Sequence, residues 1–145
     1  MNDTDIDMEL SSGLAAFESK AFARAAALLG PLAEAGNPEA QHRLGIIYQN
    51  GLGMARNELL AYKWMQMAAK QDHALAQHGM GFMYLEGDCV SANGAKAVTW
   101  FEKAAKQGLA GSQATLGRMY TEGLGVEKDV AVGKKWYREA GFDEV

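Results

Sequence analysis

The sequence predicts an all-α chain, a superhelix of stacked helix hairpins, and three observations carry that expectation. The stretch LGIIYQNGLG at residues 44–53 returns as MGFMYLEGDC at 80–89 and as LGRMYTEGLG at 116–125, a fixed period of 36 residues. Residues 37–72, 73–108 and 109–144 overlay without a gap and share six identical columns. These are Gln41/Gln77/Gln113, Gly45/Gly81/Gly117, Tyr48/Tyr84/Tyr120, Gly51/Gly87/Gly123, Trp64/Trp100/Trp136 and Ala68/Ala104/Ala140. Apolar residues inside each copy recur at helical spacing. A repeat of this length marks supersecondary units that bury their faces against one another rather than around one centre.

The first helix of each copy is expected over 38–50, 74–86 and 110–122. Ala40, Leu44, Ile47 and Tyr48 lie at i, i+4, i+7 and i+8, one apolar face. Asn37-Pro38 supplies a cap and a first-turn proline. Gly51, Gly87 and Gly123 stand where a left-handed residue ends a helix at low cost. The second helix is expected to start at Asn57, Asn93 and Asp129, all residues able to cap orphan N–H groups. Its buried stripe reads Ala61, Trp64, Met65, Ala68, then Ala97, Trp100, Phe101, Ala104, then Gly133, Trp136, Tyr137, Ala140. The short connecting loop permits only an antiparallel hairpin.

Gly45, Gly81 and Gly117 sit in mid-helix, where glycine costs about 1 kcal/mol relative to alanine. Three in register imply close helix approach, with the tryptophans as large apolar knobs. Residues 1–36 read as a shorter first hairpin capping the array, in which Gly13 to Phe17 stand where Leu44 to Tyr48 stand later. Thr4 with Asp7 is the expected start of its first helix, and 21–35 its second, bent or restarted at Pro31. The whole of 1–145 is then one repeat domain.

Composition narrows function. Residues 1–36 hold six acids and two bases, a net −4 equal to that of the whole chain. No segment forms the basic stripe a phosphate backbone needs, so no nucleic acid partner is expected. The acidic MNDTDIDMEL resembles neither a signal peptide nor a presequence, and no apolar run reaches bilayer length. One cysteine, Cys89, suits a reducing compartment, so a cytoplasmic protein without membrane attachment is expected.

The columns resemble the Sel1-like repeat family, a branch of the tetratricopeptide-type α-solenoids. Its pattern stands here as Ala40, Leu44, Gly45, Tyr48, Gly51, Gly53, Met54, Asn57, Ala61, Trp64, Ala68 and Ala69. It returns as Ser112, Leu116, Gly117, Tyr120, Gly123, Gly125, Val126, Asp129, Gly133, Trp136 and Ala140. The resemblance implies a right-handed, curved array acting as a non-enzymatic adaptor that holds a peptide or protein in a concave groove. The second copy carries Asp88-Cys89 where the others carry Leu-Gly, so its loop is expected to take another path. The third copy's last helix is expected to stop early, at Ala140-Gly141-Phe142. Some secreted relatives carry paired cysteines linked to β-lactam binding; the pairs are absent here, and that activity is not carried over.

Tetratricopeptide-style groove positions on this register select Glu39, His42, Ile46 and Gln49, then Leu75, His78, Phe82, Leu85 and Glu86, then Arg118, Thr121 and Glu122. Ile46, Leu75, Phe82 and Leu85 would anchor a partner that Arg118 orients; the alternative is that adjacent repeats cover Phe82 and its neighbours. His42 and His78 share a column, but no CxxC or HExxH spacing accompanies them, so neither metal nor cofactor is expected. No phosphate loop or nucleophile elbow is present, and Cys89 reads as a loop thiol before a redox sensor. A second reading is self-association through an uncapped C-terminal repeat: the chain is expected to be a monomer if Phe142 folds back over that end and a weak homodimer if two copies meet there.

Overall fold

A computed structural model describes residues 2–142. Among them are eight helices: α1 Asp3–Glu18, α2 Phe22–Glu34, α3 Pro38–Asn50, α4 Glu58–Lys70, α5 Ala74–Glu86, α6 Gly94–Lys106, α7 Ala110–Glu122 and α8 Val130–Glu139. No described residue is in a strand. The chain falls into two compact units, Met1–Gln71 and Asp72–Val145. Among the described residues no helix is long and apolar enough to cross a membrane.

In the first unit α1 packs on α2, α2 on α3 and α3 on α4. Ala25, Leu29, Leu32, Ala33, Ala40, Leu44, Ile47 and Trp64 form its buried centre. In the second unit α5 packs on α6, α6 on α7 and α7 on α8. Phe101, Met80, Met83, Leu116 and Met119 are fully buried there.

The expected caps form. The side chains of Asn57, Asn93 and Asp129 accept from Leu60, Lys96 and Val132 backbone N–H groups, opening α4, α6 and α8. Gly51, Gly87 and Gly123 close α3, α5 and α7 at φ 62, 69 and 71°. α1 starts earlier than Thr4, because Asn2 caps it by accepting from the Asp5 N–H. Pro31 lies inside α2, which runs on through it to Glu34.

The mid-helix glycines are indeed points of close approach, but the knob differs from the expected tryptophan. A Cβ on Gly81 would lie 2.6 Å from the Phe101 ring, and one on Gly117 2.8 Å from that of Tyr137. On Gly45 it would lie 3.1 Å from the Met65 methyl and 3.2 Å from its backbone nitrogen. In every copy the residue after the tryptophan therefore fills the glycine notch. Gly13 does the same against Leu29, at 2.5 Å, so it occupies the place of Gly45 rather than that of Leu44.

The second loop does not diverge. Leu52, Asp88 and Leu124 each donate to the same carbonyl column, Ile47, Met83 and Met119. Asn57, Asn93 and Asp129 likewise donate to Tyr48, Tyr84 and Tyr120. Cys89 takes φ 67° where Gly53 and Gly125 take 69 and 68°. The loop hydrogen bonds impose the left-handed conformation whichever residue stands there, and Cys89 bears a strain of about 1 kcal/mol that glycine avoids. The last helix does stop early, with ten residues where α4 and α6 have thirteen.

Candidate functional site

The residues that the repeat does not fix lie along the first helices. On α5 they form one stripe, Leu75, His78, Phe82 and Leu85, at i, i+3, i+7 and i+10. Leu75 is 47% exposed, while the other three are half-buried. Phe82 meets Phe101 edge-on, with centroids 5.1 Å apart, and His78 at 4.9 Å. Its ring is thus divided between core and surface, and it is less free to anchor a partner than the sequence suggested. Leu85 reaches the third loop, where a Cβ on Gly125 would lie 3.2 Å from its methyl.

On α7 the exposed pair is Arg118 and Glu122, joined at 3.0 Å one helical turn apart. Both side chains are more than half exposed, so the pair contributes less than about 1 kcal/mol and is open to exchange for a partner's charges. Glu86 is exposed at the end of α5. Thr121 belongs elsewhere. Its hydroxyl donates to the Gly117 carbonyl at 2.8 Å, and its methyl occupies the space a Cβ on Gly133 would need. It is part of the α7–α8 seam rather than of the groove.

In the first unit Glu39 holds Arg43 at 3.2 Å, and the same guanidinium reaches Glu18 at 3.0 Å and lies over the Phe17 ring. Glu39 thus takes part in tying α3 to α1. His42 is 7% exposed and presents no surface, a second departure from the groove set. Ile46 and Gln49 are half-buried. Cys89 is half-buried with its sulfur 3.8 Å from the Asp88 carboxylate.

His78 is the one stripe residue with a perturbed acidity. Nδ1 lies 2.7 Å from Ser112 Oγ, and the ring faces Phe82 and Phe101. Desolvation by burial lowers its pKa below the ordinary 6.5. The unfolded chain therefore binds the proton more readily. Stability from this group is present above about pH 6.5 and is lost as pH falls through the lower folded value. Thermal melts between pH 7 and 5 are expected to fall more steeply for the parent than for His78→Asn.

The glutamine column is plain in the sequence, but what it does is not. Gln41 and Gln77 are buried, at 0 and 1% exposure. Gln41 donates to the Ala33 carbonyl at 3.1 Å, and Gln113 donates to that of Ala105 at 3.0 Å. Gln71, capping α4, donates to Gln41 Oε1 at 2.8 Å and to the Gly36 carbonyl at 2.9 Å. Gln107, capping α6, repeats this on Gln77 Oε1 and the Asp72 carbonyl at the same distances. Such bonds contribute about 1 kcal/mol each, and in the first unit they bind three successive helices together. The repetition of Gln71 as Gln107 was the available signal.

The model of the Sel1 repeat matches residues 38–73, 74–109 and 110–141. The chain belongs to the Sel1 repeat family. Among solved structures, a Sel1 repeat protein from Oxalobacter formigenes is 33% identical with a TM-score of 0.83, over 92% of this chain and 53% of its own. A second is c5321, a protective antigen present in uropathogenic Escherichia coli strains and displaying an SLR fold. It is 35% identical with a TM-score of 0.87, over 94% of this chain and 30% of its own. This Sel1 repeat chain thus spans about half the length of the first and under a third of the second. No curated protein matches it. Sel1 repeat proteins generally mediate protein–protein interaction.

Proposed function

We propose that this Sel1 repeat chain is a non-enzymatic adaptor that holds a protein or peptide segment against the non-repeating stripe of its first helices, the expected concave groove. The observation that carries the reading is the stripe itself: Leu75, 47% exposed, aligned with Phe82 and Leu85, which the packing of α5 leaves half-buried. Apolar surface of this kind is favourable to cover, and the exposed Arg118–Glu122 pair supplies direction to an incoming charged segment. The segment this suits is an amphipathic helix or extended strand with an acid near its apolar anchors. The single cysteine accords with work in the cytoplasm.

The test is affinity capture with the parent and with Leu75→Asp/Arg118→Glu, each followed by thermal melting. Both residues are exposed, so the double variant is expected to melt within about 2 °C of the parent. It is also expected to lose a partner that the parent retains. Equal retention by the two chains would overturn the reading.

A further inference from the structure

Inside each unit a second helix is covered by the first helix that follows it: α3 lies on α2, and α7 on α6. On the covered helices Leu29, Leu32, Phe101 and Ala104 are at most 3% exposed. One period on from Phe101 and Ala104 stand Tyr137 and Ala140 of α8, and both are only half-buried. Val130, on the same face two turns before Tyr137, is 41% exposed. The matching half of this seam lies open on α1. Gly13 occupies the place of Gly45, so Met8, Ser12 and Ala15 stand where α3 has Ala40, Leu44 and Ile47. Those α3 residues join the core that α2 covers and are at most 3% exposed, whereas all three on α1 are exposed, Met8 by 64%.

The charges beside the two open faces are opposite. α1 carries Asp3, Asp5, Asp7, Glu9 and Glu18 and no base, whereas α8 carries Lys134, Lys135 and Arg138 against Glu139. Asp5 and Glu9 stand at i−3 and i+1 from Met8, and Lys134 and Arg138 at i−3 and i+1 from Tyr137. Each pair therefore borders its face on the same side. The connections at 35–37 and 107–109 are short, which makes the packed pairs α2–α3 and α6–α7 antiparallel. Antiparallel packing sets like-sided borders against one another, so the two bases would meet the two acids. We infer that the open face of α8 receives α1 of a second copy of this chain, forming between molecules the seam that α2–α3 and α6–α7 form within one. Small Ser12 and Ala15 leave room for the Tyr137 ring, and Met8 supplies a flexible apolar contact. None of the four bordering side chains is in an ion pair among the described residues, so each is available to the other copy. The contact is heterologous, because α8 meets α1 rather than another α8. Both faces are separate from the stripe on α5 and α7, so the inference does not depend on the adaptor reading.

The test is sedimentation equilibrium of the full chain from about 1 to 100 μM, the range in which weak contacts form and dissociate. The parent is expected to gain mass with concentration, and to associate at least tenfold more weakly on going from about 0.05 to 0.5 M salt. Asp5→Lys/Glu9→Lys and Lys134→Glu/Arg138→Glu are each expected to weaken association at least tenfold while keeping the parent's helical circular dichroism. An equimolar mixture of the two variants is expected to associate again. The first then offers an unaltered α8 to the unaltered α1 of the second, and its new lysines meet the new glutamates. A parent that stays monomeric throughout would overturn the inference, as would a mixture that stays monomeric. Association that survives the α1 reversal would place the contact between two α8 helices and overturn it as well.

Discussion

Replacing Phe101 by alanine is expected to lower stability by about 3–5 kcal/mol and the melting temperature by on the order of 10 °C. The ring is fully buried, fills the notch over Gly81, and meets Phe82 and His78 edge-on at 5.1 and 5.5 Å. Its loss removes apolar burial and leaves a cavity that two rigid helices cannot close. The companion change Gly81→Ala gives a sharper check. In the parent a Cβ there would lie 2.6 Å from the Phe101 ring, so the change is expected to cost about 1–3 kcal/mol. In the Phe101→Ala background the obstruction is gone and alanine's helix preference of about 1 kcal/mol remains, so the same change is expected to stabilise. Denaturant melts of the four chains measure this reversal; additive effects would show that the notch and the ring are not partners.

Gly94→Ala is expected to be as damaging, although it adds one methyl. A Cβ on Gly94 would fall on the carbonyl oxygen of Gly125, and backbone cannot yield as a flexible side chain does. The third loop must shift, and with it the contact Gly125 makes to Leu85. A cost of about 3 kcal/mol is expected, at the upper end for overpacking. Gly111→Ala is the control. Gly111 lies in the first turn of α7, and a Cβ added there would make only an ordinary contact, 3.6 Å from the His78 ring, so that change is expected to stabilise by up to about 1 kcal/mol. Opposite signs for two Gly→Ala changes in one chain would separate close approach from intrinsic helix propensity.

Much of the fold was legible because the sequence states it three times. The bounds of α3, α5 and α7 follow from glycine and cap positions that recur at one spacing. What a single copy could not convey was which of two adjacent large residues enters a notch. Trp64 and Met65 are both apolar and differ by only about 100° around the helix, and the packing chose Met65. The Asp88-Cys89 loop misled for the opposite reason. Its residue types differ, but hydrogen bonds to Met83 and Tyr84 carbonyls dictate its path. The candidate surface was less legible. Leu75, Arg118 and Glu122 lie exposed, whereas His42 is buried and Thr121 is committed to α8, because outward positions on a first helix depend on what its neighbours leave uncovered.

The central claim is that the shared columns exist to pack hairpins and that recognition is left to residues the repeat does not fix. Thermal unfolding of two triple variants tests it most directly. Leu75→Asp/Glu86→Lys/Arg118→Glu changes three exposed positions, and is expected to melt within about 3 °C of the parent. Gly45→Val/Gly81→Val/Gly117→Val changes one shared column, and is expected to melt more than about 15 °C lower or not to fold. A column variant that melts like the parent, or an exposed-residue variant that collapses, would contradict the claim.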